Sequence, residues 1–192
     1  MPPRVKRTKE EIVDAAFDLV RENGMAALSA RSLARALGTS TGPIFTAFTS
    51  IEEIQNEVLH RAKDWYARYI QEGLKQIPAF KGAGMAYIRF AKDEPELFRL
   101  LFMAGDGTEN ATHFLPSNDD NAPFVLEAVE DGYGLMPENA KNLYNHMSIY
   151  AFGLAALFAQ RIYRFTMDDI SRMMTEMFTA LKEKEEKDHA EN

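Results

Sequence analysis

The 192-residue chain contains no cysteine. This excludes a disulfide scaffold, a thiolate metal site and a cysteine nucleophile. Long apolar runs are also lacking: the longest uncharged one, Ile149 to Ala159, has 11 residues, whereas a membrane-spanning helix needs roughly 18. The basic N-terminus is not followed by an apolar stretch of the kind found in signal peptides. We therefore expect a cytoplasmic protein with no membrane partner.

The composition is that of a globular protein, with 46% apolar and 27% charged residues. At this length the chain forms one or two domains. Charge is unevenly distributed, because residues 1–50 carry seven basic and five acidic side chains, whereas the remaining 142 residues have a net charge of −9. A basic segment on an acidic body favours contact between that segment and a polyanion.

Helical periodicity runs through most of the chain, and no strand pattern accompanies it. Residues suited to the N-cap precede four predicted helices: Thr8, Ser29, Ser40 and Ser50. Thr8 and Ser50 each have a glutamate three residues later, which is the spacing of a capping box. The third helix is short and ends near Phe48. These features predict an all-α fold, with domains at residues 1–50 and 51–182 and a charged tail at 183–192.

Five further helices are expected in the second domain. Their predicted ranges are residues 84–92, 95–102, 124–131 and 137–164, and a last helix that begins at Thr166. Gly105 to Pro123 is a 19-residue run of Gly, Asp, Asn, Thr, Ser and Pro, which predicts a functional or mobile loop. The tail has no apolar face, so we expect it to fray.

Residues 29–48 fit two helices joined by a tight turn around Gly38, which is the helix-turn-helix plan. Ala34 is small where the helices must cross, and Leu33 and Ile44 can fill the space between them. In DNA-binding proteins with this plan, the last helix lies in the major groove. The spacing by itself leaves two interpretations open, a DNA-binding domain and a generic helical domain.

Sequence similarity favours DNA binding. The segment from Ala36 to Ile54, ALGTSTGPIFTAFTSIEEI, resembles the signature of the tetracycline-repressor (TetR) family of bacterial transcription regulators, as does the first helix with its Asn23-Gly24 end. Tyr87 to Phe102 resembles a stretch of one ligand-binding subgroup, although that subgroup often has His-Gly where this chain has Phe152-Gly153. The resemblance implies a homodimeric repressor that binds a palindromic operator. A small-molecule effector is expected to release this repressor from the operator.

The expected DNA contacts come from basic side chains, from hydroxyl groups that bind phosphate, and from the N-terminus of the third helix. They are Arg4, Lys6, Arg7, Ser29, Arg31, Thr39, Ser40, Thr41, Gly42, Pro43, Phe45, Thr46 and Thr49. Two residues depart from the family pattern, since Phe45 replaces the usual Tyr and Ile51 replaces the usual Lys. Both changes remove phosphate contacts, so we expect weaker or more salt-sensitive DNA binding. The alternative is a ligand- or partner-binding protein with a degenerate DNA-reading head.

The second domain is rich in side chains that suit an adaptable apolar cavity, with ten of 13 Phe and eight of ten Met after residue 50. Ordinary core uses the same residue types. The expected ligand contacts are Trp65, Tyr69, Phe90, Phe102, Met103, His113, Phe114, Met147 and Tyr150. The acidic body favours neutral or cationic ligands. Small residues between Ala151 and Ala159, with the Met-rich face from Ile170 to Leu181, suit the four-helix dimer interface that the resemblance implies.

An enzyme on a helical bundle is the rival class. Glu57-x-x-His60 has the spacing of part of a di-iron carboxylate site, but an exposed glutamate and histidine on the fourth helix are the much better explanation. The chain has no His-Glu-x-x-His and no lysine-containing phosphate loop. We therefore predict a protein that is not an enzyme and has no catalytic residue, metal or cofactor.

Overall fold

The computed structural model describes residues 7–103, 120–162 and 164–190, and the side chains of the last helix only as far as Glu185. Within these residues the chain is all-α. The helices are α1 (Lys9–Asn23), α2 (Ala30–Ala36), α3 (Gly42–Ala47), α4 (Ile51–Leu74), α5 (Ala79–Asp93), α6 (Pro95–Phe102), α7 (Ala122–Tyr133), α8 (Pro137–Ala159) and α9 (Met167–Ala190). No helix in the described part of the chain is long and apolar enough to cross a membrane. Four predicted contact residues lie outside the described residues, as does most of the predicted loop: Arg4, Lys6, His113 and Phe114.

The first helices begin where the capping residues predict. Thr8 Oγ1 accepts a hydrogen bond from Glu11 N at 3.1 Å, and the Glu11 carboxylate accepts one from Thr8 N at 2.9 Å. Both halves of this capping box are present. Ser29 Oγ caps α2 by accepting from Ser32 N at 3.2 Å.

The prediction for Ser40 was wrong, because α3 begins at Gly42 with Thr41 at the N-cap and no side-chain cap. Pro43 explains the later start, since its fixed φ and missing N–H suit the first turn of a helix. At α4, Ser50 Oγ accepts from Glu53 N at 3.3 Å, but the Glu53 carboxylate binds Thr49 N at 2.7 Å. In the predicted capping box the Glu53 carboxylate would bond the N–H of Ser50, but it bonds the N–H of the preceding residue, Thr49.

The turn between α2 and α3 has the geometry of a Schellman cap. Gly38 adopts φ 64°, a left-handed conformation that glycine tolerates without strain. Thr39 N donates to Ala34 O at 2.9 Å, and Gly38 N donates to Arg35 O at 3.1 Å. The turn lets α3 pack on α2, and Ile44 is fully buried beneath it. The helix-turn-helix predicted from the sequence is therefore present, and we call α1–α3 the head and α4–α9 the body.

In the body, α4 and α5 approach each other at two glycines. A Cβ at Gly82 would lie 2.1 Å from Gly73 O, and one at Gly73 would lie 2.6 Å from Gly82 O. No side chain fits at either position. Gly82 lies within α5, because this helix begins at Ala79. The observed start is five residues before the predicted start at Gly84.

The last two helices end differently from the prediction. We expected α8 to reach Arg164, but it ends at Ala159 because Arg161 adopts a left-handed φ of 59°. Ile162 N then donates to Leu157 O and Arg161 N to Phe158 O, both at 2.8 Å, which completes a second Schellman cap.

The tail predicted to fray is helical as far as Ala190. Contact with α8 holds it in place, because Asn139 Nδ2 donates to Glu185 O at 2.9 Å and Glu185 is 5% exposed. The predicted domain boundary at residue 182 therefore lies within α9.

Candidate nucleic-acid interface and ligand cavity

The exposed side of α3 presents few long side chains. Phe45 is 49% exposed, and Ser40 and Thr46 are exposed beside it. Thr46 Oγ1 donates to Gly42 O at 2.9 Å, so its lone pairs are available to accept but its proton is used. Arg31 of α2, a predicted cationic contact, is also exposed. Exposed hydroxyls and an arginine are groups that can bind an anionic backbone.

Three further predicted DNA-contact side chains already form hydrogen bonds within the protein. Arg7 Nη2 donates to Leu37 O at 2.9 Å, and Thr49 Oγ1 donates to Glu53 at 2.9 Å. Ser29 caps α2, as described above. Thr39, Thr41 and Pro43 are half-buried, whereas Gly42 is exposed.

The turn also contains a spacing found in hydrolases. Gly38-Thr39-Ser40-Thr41-Gly42 has the Gly-x-Ser-x-Gly pattern of a nucleophile elbow. Such an elbow connects a strand to a helix and projects the serine over a sheet. Here the segment connects α2 to α3. Ser40 therefore lies in a helix–helix turn without the geometry that activates a nucleophilic serine.

The body contains a partly open cavity of about 400 Å³ between α4, α5, α7, α8 and α9. This volume is within the range of drug-sized ligand sites. Its lining residues include Tyr66, Lys81, Tyr133, Met147, Ser148 and Thr179. Aromatic rings contribute much of the wall, and the ring centroids of Tyr133 and Phe178 are 4.7 Å apart. Partial burial raises the pKa of the Tyr133 phenol, so it remains a neutral hydrogen-bonding group.

The structure places one of the described predicted ligand contacts in the cavity wall and the others outside it. Met147 is 3% exposed and lines the cavity. The remaining described ones do not line it: Trp65, Tyr69, Phe90, Phe102, Met103 and Tyr150. Phe90 and Phe102 are buried in the core, and the Tyr69 ring lies 5.2 Å from that of Phe90. The aromatic cluster read from the sequence is thus mainly packing between α4, α5 and α6.

Trp65 belongs to a contact between head and body that the sequence did not predict. Arg21 of α1 forms a two-pronged ion pair with Glu94, with Nε to Oε2 at 2.6 Å, and Trp65 Nε1 donates to Glu94 Oε1 at 3.3 Å. The Arg21 guanidinium also lies 5.2 Å from the Trp65 ring centroid. The bond to Glu94 raises the pKa of Arg21. Because 73 residues separate the charges, no sequence spacing indicates this pair.

One side of α8 remains exposed. Ile149 is 55% exposed, and a Cβ at Gly153 would meet no heavy atom within 4 Å. Ala151, Ala155 and Ala159 are buried within the body. The small residues therefore serve two purposes, since some pack inside the chain and Gly153 faces outward. In the described part of the chain, no group of three or more His, Asp or Glu side chains is placed to hold a metal ion.

Comparison with known proteins agrees with this geometry. Residues 12–58 match the model of the bacterial regulatory proteins of the tetR family, and residues 80–181 match the tetracyclin repressor-like C-terminal domain. No curated protein matches the chain by sequence.

Two solved structures share the fold. A TetR variant from Acinetobacter baumannii AYE in complex with minocycline is 16% identical, with a TM-score of 0.56 over 93% of this chain and 98% of that chain. The fatty acid degradation regulator FadR from Bacillus halodurans is 15% identical, with a TM-score of 0.57 over 94% of this chain and 96% of that chain. With a helix-turn-helix head, a helical body around a cavity, and both family models matched, the chain belongs to the TetR family of bacterial transcription regulators.

Proposed function

We propose that the protein is a cytoplasmic, ligand-responsive repressor that binds a palindromic operator as a homodimer and leaves it when a small apolar or amphipathic molecule enters the cavity. One observation carries this proposal: α4 connects the two sites. Its first residue, Ile51, follows α3 closely, and its residues Tyr66 and Ile70 line the cavity. Binding at the two sites is sufficient for this function, and no catalytic step is needed.

The length of α4 explains how a ligand acts on the head. At 24 residues it is about 36 Å long, so a small rotation at the cavity end displaces the other end. Two half-sites of an operator are separated by about 34 Å per helical turn, and two heads must match that separation together. A ligand that binds the displaced arrangement more tightly therefore lowers operator affinity.

The test of DNA reading is selection of random-sequence duplexes by the purified protein at physiological salt, followed by sequencing of the bound pool. We expect a palindrome, whose half-site spacing gives the separation of the heads. A pool without enrichment, in protein first stripped of ligand by unfolding and refolding, contradicts the proposal and favours the degenerate-head alternative.

The selected duplex then tests the effect of Phe45. Phe45→Tyr adds a hydroxyl to an exposed ring on α3, where the resemblance places a phosphate contact. A hydrogen bond to a charged group is worth about 1.5–3 kcal/mol, so we expect operator affinity to rise by about tenfold or more. Phe165→Tyr, also at an exposed ring but outside the head, is the matched control and should leave affinity unchanged.

The homodimer is tested at α8. Gly153→Glu places a charge on the exposed side of α8, where a second copy would pack, and should shift the protein to monomer in sedimentation experiments. Gly132→Glu is the matched control, because it also lies in a helix with open space around the Cβ position. Equal dimer content in both variants would exclude this face of α8 as the interface.

A further inference from the structure

Lys81 is the charged residue among the described residues that line the cavity. Among the described residues that form its wall, Lys81 alone carries a formal charge, and no aspartate or glutamate faces it there. Lys81 is half-buried and forms no ion pair with a carboxylate of the described residues. A cation that is partly removed from water without a partner is costly. An anion brought by the ligand would offset that cost.

The position of Lys81 on its helix also favours an anion. Lys81 is the third residue of α5, and the helix begins after Pro78 without a side-chain cap. Helix N-termini carry a partial positive charge, so a lysine in the first turn does not stabilise the helix. The unpaired backbone donors of this turn and the lysine act in the same direction, toward a negative group. Pro78, Phe80 and Lys81 all line the cavity.

A second polar group in the wall points to a ligand independently. Ser148 of α8 is 6% exposed and lines the cavity, and its hydroxyl has no hydrogen bond to another described residue. Its oxygen keeps some accessible surface, so it is open to a ligand in the cavity. A ligand with an acceptor atom would satisfy it.

From these observations we propose that the effector is a monoanionic amphiphile, a carboxylate whose charge pairs with Lys81 and whose apolar body lies among the aromatic rings. This rests on the proposed function of the cavity as the effector site. The acidic body suggests the opposite preference, but surface charges are screened within about 8–10 Å at physiological salt. The charge inside the cavity wall is screened less and therefore decides the preference.

The experiment uses calorimetric titration of the full chain with two carboxylates, decanoate and 2-naphthoate, each compared with its uncharged primary amide. Loss of one partner of a buried charge pair costs about 2 kcal/mol or more, so at least one carboxylate should bind roughly 30-fold more tightly than its amide. Lys81→Met should abolish that preference, and Lys81→Arg should retain it. Lys92→Met, at an exposed position on the same helix, is the matched control and should change nothing.

The outcomes separate the two proposals. Equal binding of acid and amide, no binding of any probe, or a preference that survives Lys81→Met overturns the anionic ligand class. Thr179→Trp fills the cavity from an exposed lining position and should block both members of a pair. Binding that persists unchanged in Thr179→Trp places the ligand elsewhere and overturns the proposed function of the cavity.

Discussion

The ion pair between Arg21 and Glu94 gives the sharpest test of how the head is attached to the body. Glu94 lies at the N-cap of α6, its side chain is 4% exposed, and it binds both Arg21 and Trp65. We predict that Glu94→Gln, which keeps the size of the side chain, destabilises the protein. The amide loses the negative charge and presents an N–H group to a guanidinium.

The structure sets the size of the effect. Hydrogen bonds to charged groups contribute about 1.5–3 kcal/mol, and the lower part of that range applies here because the Arg21 side chain is 41% exposed and regains water. Loss of a negative charge at the start of α6 adds about 0.5 kcal/mol. We therefore expect the free energy of unfolding to fall by about 2.5 kcal/mol. For a chain of this size, that lowers the Tm by roughly 5–10 °C.

The assay is urea unfolding followed by circular dichroism and by the fluorescence of Trp65, the single tryptophan, at fixed protein concentration. Glu72→Gln is the matched control, because Glu72 pairs with Lys75 and both side chains are at least 67% exposed. We expect it to change stability by no more than about 0.5 kcal/mol. The reasoning is refuted if Glu94→Gln costs no more than Glu72→Gln.

Two further tests, on three variants, address the packing of α5 on α4 and the N-terminus of α4. Gly82→Ala places a Cβ against Gly73 O and should lower the free energy of unfolding by about 1–3 kcal/mol. Gly132→Ala has open space around the new Cβ and should raise the free energy of unfolding by about 0.5–1 kcal/mol. Urea unfolding that ranks the two variants in the opposite order would contradict the close approach of α4 and α5. The pKa of Glu53 is lowered from 4.5, chiefly by the hydrogen bond from Thr49 N. The ionised Glu53 carboxylate therefore contributes fully to the stability of the fold above pH 4.5, and this contribution is lost as the pH falls through the lowered pKa of the folded state. The difference in urea midpoint between the wild type and Glu53→Gln should therefore shrink between pH 7 and about pH 3, and a constant difference would argue against the contact.

Features that depend on neighbouring residues were predicted well. Thr8, Ser29 and Gly38 act within five residues of their partners, so their roles follow from the chain itself. The exceptions have local causes as well. Pro43 moves the start of α3. Arg161 ends α8 in a left-handed conformation, and the sequence has no glycine there that would have predicted the end of the helix.

The cavity depends on how helices face one another, and sequence patterns do not fix that. On α4, Trp65 with Tyr69 and Tyr66 with Ile70 are two pairs with the same four-residue spacing, rotated by one residue, or about 100°, around the helix. Both pairs are aromatic or apolar, so the pattern does not rank them. Tyr66 packs against aromatic rings of α5 and α6 and lines the cavity with Ile70, whereas Trp65 packs against Phe17 of α1.

The sequence by itself determined the helical class, the helix-turn-helix and the family, because each is written in contiguous residues. Only the tertiary structure decided which side of α4 faces the cavity, that Lys81 is the charged residue among the described part of its wall, and that Arg21 reaches Glu94. Those contacts join residues far apart in the chain. Their formation follows from the packing of several helices together, which local spacing does not encode.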